Sequence, residues 1–157
     1  MGYYIYDDTE SFDKQETLER RSAKPLEVSS DNQQYLEELL DYLDTFDGNI
    51  LFTNTPNNLE EDKFANCNYI KKKIEDRGYE VLDLNDRVDE IGLDYETDFN
   101  ENMHVNYRGA FKITDYMADY LKEKYELPEH EKETDSIYEK TQERLLSRTE
   151  EMEKRNE

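Results

Sequence analysis

"NILFTNTP", residues 49–56, and "GYEVLDL", residues 78–84, decide how this chain folds. Each is a short apolar run closed off by turn-forming residues, the length of a strand and not of a helix. The first predicts a strand over Ile50 to Thr53 that ends at Pro56, and the second predicts a strand over Tyr79 to Leu84. Between them, Leu59 to Arg77 sets Phe64, Cys67, Ile70 and Ile74 on one side of a helix, and Gly78 supplies its stop. Ahead of the first strand, Leu36, Leu39, Leu40, Leu43 and Phe46 recur at spacings of three and four. Ser29-Ser30-Asp31 offers that helix an N-cap, Gln33 stands where a capping box wants it, and Gly48 is the expected stop.

Helix, strand, helix, strand with short joints is the signature of parallel βαβ construction. The expected fold class is therefore α/β: part of a flavodoxin-like, three-layer parallel sheet flanked by helices. Two strands are too few for a stable parallel sheet, which needs several strands and cover on both faces. A partner chain or self-association that completes the sheet is one expectation that follows.

The flanks read differently. Residues 1–29 mix aromatic and charged residues without a period and include Pro25, which predicts an extended arm, with Tyr3, Tyr4 and Tyr6 free to dock on the core. After Leu84, a short helical piece around Val88 and Ile91 leads into an acidic loop. A longer helix follows from near Asn106 to about Tyr125, with Ala110, Phe111, Met117, Tyr120 and Leu121 as its inner positions, and Pro128 ends the unit. The remainder, 129–157, has helix-forming residues but few apolar ones, chiefly Ile137, Tyr138, Leu145 and Leu146, and reads as an acidic helical tail. The chain thus divides into an arm (1–29), an α/β domain (30–128) and a tail (129–157).

Composition limits the function. The 157 residues are 34% hydrophobic and 39% charged, which leaves a thin supply of core for one modest domain. With 41 acidic against 20 basic residues the formal net charge is −21, which repels phosphate backbones and anionic lipid. Neither a nucleic-acid partner nor membrane insertion is expected. No stretch approaches the roughly 20 apolar residues of a membrane-spanning helix, and "MGYYIYDDTE" lacks the order of a signal peptide. As it stands, the chain reads as a soluble cytoplasmic one. Cys67 is the only cysteine, so neither an internal disulfide nor a cysteine zinc site can form, and its helical setting suggests a buried small side chain. No glycine-rich phosphate loop is present, and no cofactor is expected.

"DFNENMHVNYRGA", residues 98–110, carries the chemistry of interest. A catalytic histidine needs a carboxylate to fix its tautomer, a rigid element to present it and a nucleophile to deprotonate. Glu101 lies three residues before His104 and Asp98 six before, in a loop on the side where open α/β sheets place their sites. The nucleophile is missing, because Ser11, Ser22, Ser29, Ser30, Ser136 and Ser147 have no strand-to-tight-turn setting. The same spacing also suits a surface histidine ahead of a helix capped by Asn106. A metal site of Asp98, Glu101 and His104 lacks a second nearby histidine, and none is expected.

These words resemble the C-terminal end of the SGNH/GDSL-type hydrolases. The likeness is to bacterial members related to the D-alanyl transfer protein of teichoic-acid loci and to polysaccharide acetyltransferases of the alginate type. Their pattern D-F-x-D-x-x-H-L-N-x-x-G-A-x-K-x-T is matched here by Asp98, Phe99, His104, Asn106, Gly109, Ala110, Lys112 and Thr114. "LPEH" at 127–130 is similar to their "LPDHR", and the two strand segments are also similar, so the likeness covers about residues 30 to 130. Glu101 stands where the family has aspartate, a carboxylate one methylene longer, and Val105 replaces leucine.

The resemblance implies that His104 is the general base of an esterase or O-acyltransferase acting on acyl esters, in particular of cell-envelope glycans. It further implies that Glu101 steadies the imidazolium, with Asp98 and Asn106 behind them. The family's serine and oxyanion blocks are expected upstream of residue 1, so the chain is similar only to the C-terminal half of such an enzyme and is expected to be inactive alone. Full-length relatives are expected to be membrane-anchored and extracytoplasmic. The alternative is a non-catalytic acidic interaction protein or decayed remnant.

Overall fold

A computed structural model describes residues 8–101, 103–127 and 132–156. Along the chain run α1 (Lys14–Arg21), α2 (Ser30–Leu43), β1 (Leu51–Asn54), α3 (Glu61–Asp76), β2 (Glu80–Asp83), a 3-10 turn (Leu84–Arg87), α4 (Val88–Ile91), α5 (Tyr107–Lys124) and α6 (Lys132–Asn156). The chain is α/β. Its strands pair parallel, Leu51 against Glu80 through Asn54 against Asp83, with α3 as the crossover. They are the two strands read from the sequence, each shifted or trimmed by one or two residues. No helix among the described residues is long and apolar enough to cross a membrane.

The core gathers beyond the second strand. Leu82, Leu84, Val88, Ile91, Leu93, Tyr95, Phe99 and Ile113 form one buried cluster, closed by Phe12, Leu51 and the inner face of α5. On α3, Phe64, Ala65 and Ile74 are buried, and Gly78 takes the left-handed conformation (φ 97°) that ends the helix without a Cβ clash. β2 feeds Leu82 and Asp83 into the interior, whereas no residue of β1 is fully buried.

Three expectations are corrected. The segment 1–29 is not simply extended, since its described part holds α1. Asp13 caps that helix through a 2.7 Å bond from the Glu16 N–H, and Arg20 and Arg21 close its last turn. Its attachments are polar, so no apolar period announced it. Thr17 is buried and donates to Asn58 Oδ1 (2.7 Å), Arg21 bonds the Asn85 carbonyl (2.5 Å) and pairs with Asp86, and Asn68 Nδ2 donates to the carbonyls of Arg21 and Ala23. Tyr3, Tyr4 and Tyr6 lie outside the described residues.

Secondly, α2 stops at Leu43 and not at Gly48. Asp44 caps it and is held by Arg77 (2.7 Å) and the Tyr79 hydroxyl (2.7 Å), which leaves Phe46 exposed and not on an inner face. Only Leu40 of this helix is buried, and Leu39 is exposed. Thirdly, the inner face of α5 is the expected one at Met117, Tyr120 and the half-buried Leu121 but not in its first turns. Tyr107, Gly109 and Ile113 are buried with Tyr116, Met117 and Tyr120 alongside, while Ala110 and Phe111 face solvent.

Candidate functional site

The segment between α4 and α5 is a loop built to be rigid. Gly92 turns the chain out of α4 in the left-handed conformation (φ 72°). Asp98, 1% exposed, then draws the loop together: its carboxylate accepts from the Asp94 N–H (2.8 Å), Thr97 Oγ1 (3.3 Å) and Lys112 Nζ (2.6 Å). Phe99, fully buried, stacks on Tyr95 at 4.9 Å and meets Phe12 edge-on.

Asn106 ties the loop to the helix. Its Oδ1 caps α5 by accepting from the Arg108 and Gly109 N–H groups, and its Nδ2 donates to the carbonyls of Thr97 (2.8 Å) and Phe99 (3.1 Å). Gly109 lets the helix approach, because a Cβ there would stand 2.6 Å from the Asp98 carbonyl oxygen. Asp98, Phe99, Asn106, Gly109 and Lys112 are therefore one packed fastening, which is a physical reason for that spacing of residue types.

His104 sits at the tip of this fastening. The Asn100 N–H donates to its carbonyl (2.9 Å), Phe99 bridges Val105, and Met103 at the turn adopts a positive φ of 65°, uncommon for a side chain of its size. On its other side, His104 forms an antiparallel bridge with Asn57, and the Asn58 N–H donates to the Met103 carbonyl (2.9 Å). Asn57 stands three residues past the end of β1, so the histidine is carried to the carboxyl ends of the parallel strands. There Asn54 and Asn85 both donate to Asp83 Oδ1, and the Asn57 N–H donates to Asn85 Oδ1 (3.3 Å).

The His104 side chain is exposed, and its imidazole makes no hydrogen bond among the described residues. Glu101 shares the turn and is exposed, and its N–H donates to Asp8 Oδ2 (3.0 Å), but no bond joins its carboxylate to the imidazole. Beside the turn lies a cleft of about 470 Å³ whose walls include Ser11, Phe12, Arg20, Asn58, Glu101 and Met103. Arg20 donates to Asn58 Oδ1 (2.5 Å) from this wall, and its Nε is buried without a partner.

No group of three or more histidine, cysteine or acidic residues among those described is arranged to hold a metal ion. Asp98 is committed to Lys112 and the loop, which removes it from the set Asp98, Glu101 and His104. Cys67 is half-buried, and burial pushes its thiol above the usual range, with Asp83 adding to the shift. Ser11 is in coil, Ser22 and Ser29 cap helices, and Ser30, Ser136 and Ser147 lie within helices. None occupies a strand-to-helix turn. His130 lies outside the described residues.

Sequence reasoning passed over Asn57, Asn58, Asn85 and Arg20. The signal for the first two was available: "NTPNN", residues 54–58, follows a predicted strand at its carboxyl end, where polar side chains collect around a site. No protein-family model, curated protein or solved structure matches the chain.

Proposed function

We propose that this chain is the histidine-bearing part of an SGNH/GDSL-like esterase or O-acyltransferase, with His104 as general base and a serine outside this chain as nucleophile. The observation that carries the reading is the Asn57–His104 bridge. It supports an exposed imidazole at the carboxyl ends of parallel strands, on a loop held by buried Asp98 and Asn106. Rigid presentation and free ring nitrogens are what a general base requires.

In the reaction, the serine Oγ attacks an acyl-ester carbonyl and His104 accepts its proton. The imidazolium then returns that proton to the departing alkoxide, leaving an acyl-serine that water or a glycan hydroxyl releases. By the resemblance, Glu101 is the carboxylate that steadies the imidazolium. The substrate class by resemblance is an acyl ester of a cell-envelope glycan, and the full fold is a three-layer, flavodoxin-like sheet to which β1 and β2 belong.

The test is p-nitrophenyl acetate hydrolysis by this chain alone and by a fusion that places the serine-bearing half of an SGNH-type hydrolase ahead of residue 1. The expected result is no His104-dependent turnover alone. In the fusion, turnover should fall at least about 10²-fold on His104→Ala, the usual weight of general-base catalysis. Equal turnover by the fusion and its His104→Ala variant overturns the assignment, and fluorophosphonate labelling of Ser11 in the isolated chain overturns the external serine.

The second reading, a non-catalytic acidic interaction protein, is favoured by one observation: Glu101 and His104 share a turn without bonding each other. A fusion that folds cooperatively yet shows no turnover would select it.

A further inference from the structure

We infer that Asp47–Gly48, in the turn between α2 and β1, is a site of spontaneous covalent modification, where the pair closes to a succinimide and reopens with residue 47 as isoaspartate. The inference is independent of the reading of His104.

The sequence narrows this chemistry to one place. The side-chain carbonyl carbon of an aspartate or asparagine reaches the backbone that follows it, and the next nitrogen can attack it only where the next side chain leaves room. Asp47–Gly48 is the one aspartate- or asparagine-glycine pair in the chain. Glycine has no Cβ to block the approach and gives the backbone the freedom that a five-membered ring requires. The glycine is also fitted to its turn, since a Cβ at 48 would stand 2.6 Å from the Phe46 ring.

The structure leaves both reacting groups free. Asp47 and Gly48 are exposed and lie in neither helix nor strand, after α2 has ended at Leu43 and before β1 begins at Leu51. Neither the Asp47 carboxylate nor the Gly48 N–H has a partner among the described residues. Every other described aspartate outside the helices is engaged: Asp8, Asp13, Asp44, Asp83, Asp94 and Asp98 all accept hydrogen bonds. Exposure, a glycine neighbour and a free carboxyl therefore coincide at residue 47 alone.

In the first step Gly48 N bonds to Asp47 Cγ and gives up its proton, and a carboxyl oxygen leaves as water. Water then adds to one of the two ring carbonyls. Addition at the former α-carbonyl breaks its bond to Gly48 N, so that the chain runs on through Cβ and Cγ and an α-carboxylate is set free. Addition at Cγ restores aspartate. One water is lost and one regained, with no change of oxidation state. The product lengthens by one methylene the joint between Asp44, which caps α2, and β1.

The test incubates the folded chain at physiological temperature and mildly acidic pH, beside a free peptide of residues 43–51, and locates isoaspartate by electron-transfer fragmentation of the digest. Isoaspartate should accumulate at residue 47 at a rate within about tenfold of the peptide, as for a loop whose opening costs almost nothing. Asp47→Glu, which would need a six-membered ring, should abolish the signal. Asp47→Asn, which reaches the same succinimide by losing ammonia, should keep it. Residue 47 is exposed, so both variants should melt with the wild type. A rate more than about tenfold below the peptide means that the fold protects the pair and overturns the inference. So does isoaspartate chiefly at another position, a signal unchanged by Asp47→Glu, or none from Asp47→Asn.

Discussion

Asn106 offers the sharpest test of the fastening behind His104, because its two ends do different work. Oδ1 caps α5, and Nδ2 donates to the Thr97 carbonyl and to the buried Phe99 carbonyl, which also accepts from the Glu10 N–H. Asn106→Ser keeps a capping oxygen but removes the donors. Asn106 is 1% exposed, so the loss of its two bonds, with the Phe99 carbonyl keeping only its Glu10 donor, should cost about 1–3 kcal/mol. Asn106→Ala also loses the cap, worth about a further 1 kcal/mol.

Asn106→Asp is the discriminating variant. It keeps the cap and adds a charge favourable to the helix dipole, yet it turns an acceptor on two carbonyls and buries a carboxylate, so at pH 7 it should be no more stable than Asn106→Ser. Burial and the facing carbonyls raise the folded-state pKa of the introduced carboxyl above its unfolded value. Its stabilising contribution is therefore fully present below the unfolded pKa of about 3.9 and is lost as pH rises through the folded value. The gap between Asn106→Asp and wild type should accordingly narrow between pH 7 and roughly pH 4. Urea midpoints at both pH values measure this, and exchange of the Asn100 amide, bonded to the His104 carbonyl, reports the loop directly. If Asn106→Ser unfolds within about 0.5 kcal/mol of wild type, or Asn106→Asp matches asparagine at pH 7, the account of the fastening is wrong.

Other expectations concern the rest of the site and surface. Gly109→Ala should cost about 1–3 kcal/mol despite the helix propensity of alanine, since its Cβ would meet the Asp98 carbonyl oxygen at 2.6 Å; a neutral or stabilising result in the same urea series would count against the close approach. His104→Ala and Glu101→Gln, both exposed, should shift stability by less than about 0.5 kcal/mol, measured by thermal melts. Cys67 should resist iodoacetamide in the folded chain near neutral pH and react on unfolding, because burial raises its thiol. Added salt should raise Tm, as screening relieves the self-repulsion of a −21 chain more than it weakens exposed pairs such as Lys124 with Glu80; a falling Tm would mean that those pairs dominate.

Legibility followed the kind of force that fixes each element. β1, β2, α3 and the start of α5 were readable because apolar runs, Gly78 and an asparagine cap act locally. α1 was not, since buried Thr17 and half-buried Arg21 hold it through Asn58, Asn85 and Asp86, residues 41 or more positions away, and hydrogen bonds to distant partners leave no period in a sequence. The first turns of α5 were misread for a related reason, while Met117 and Tyr120 were read as inner and are. Lys112 must reach Asp98 across the loop, which goes with Ile113 turned inward and Phe111 out. α2 was overextended because Phe46 continued its period, while Asp44 was bound to Arg77 and Tyr79.

The site shows the same division. The loop, its histidine and the capping asparagine were evident from "DFNENMHVNYRGA". What the sequence could not supply was that Asp98 spends its carboxylate on Lys112 and two loop donors, and that Asn57 carries the turn to the strand ends. Those contacts separate the residues that hold the loop from those free to act. Asp98, Asn106 and Gly109 are buried and bonded, while His104 and Glu101 are exposed with their side-chain polar atoms uncommitted to each other. A loop fastened this firmly around an uncommitted imidazole is more ordered than a surface histidine needs.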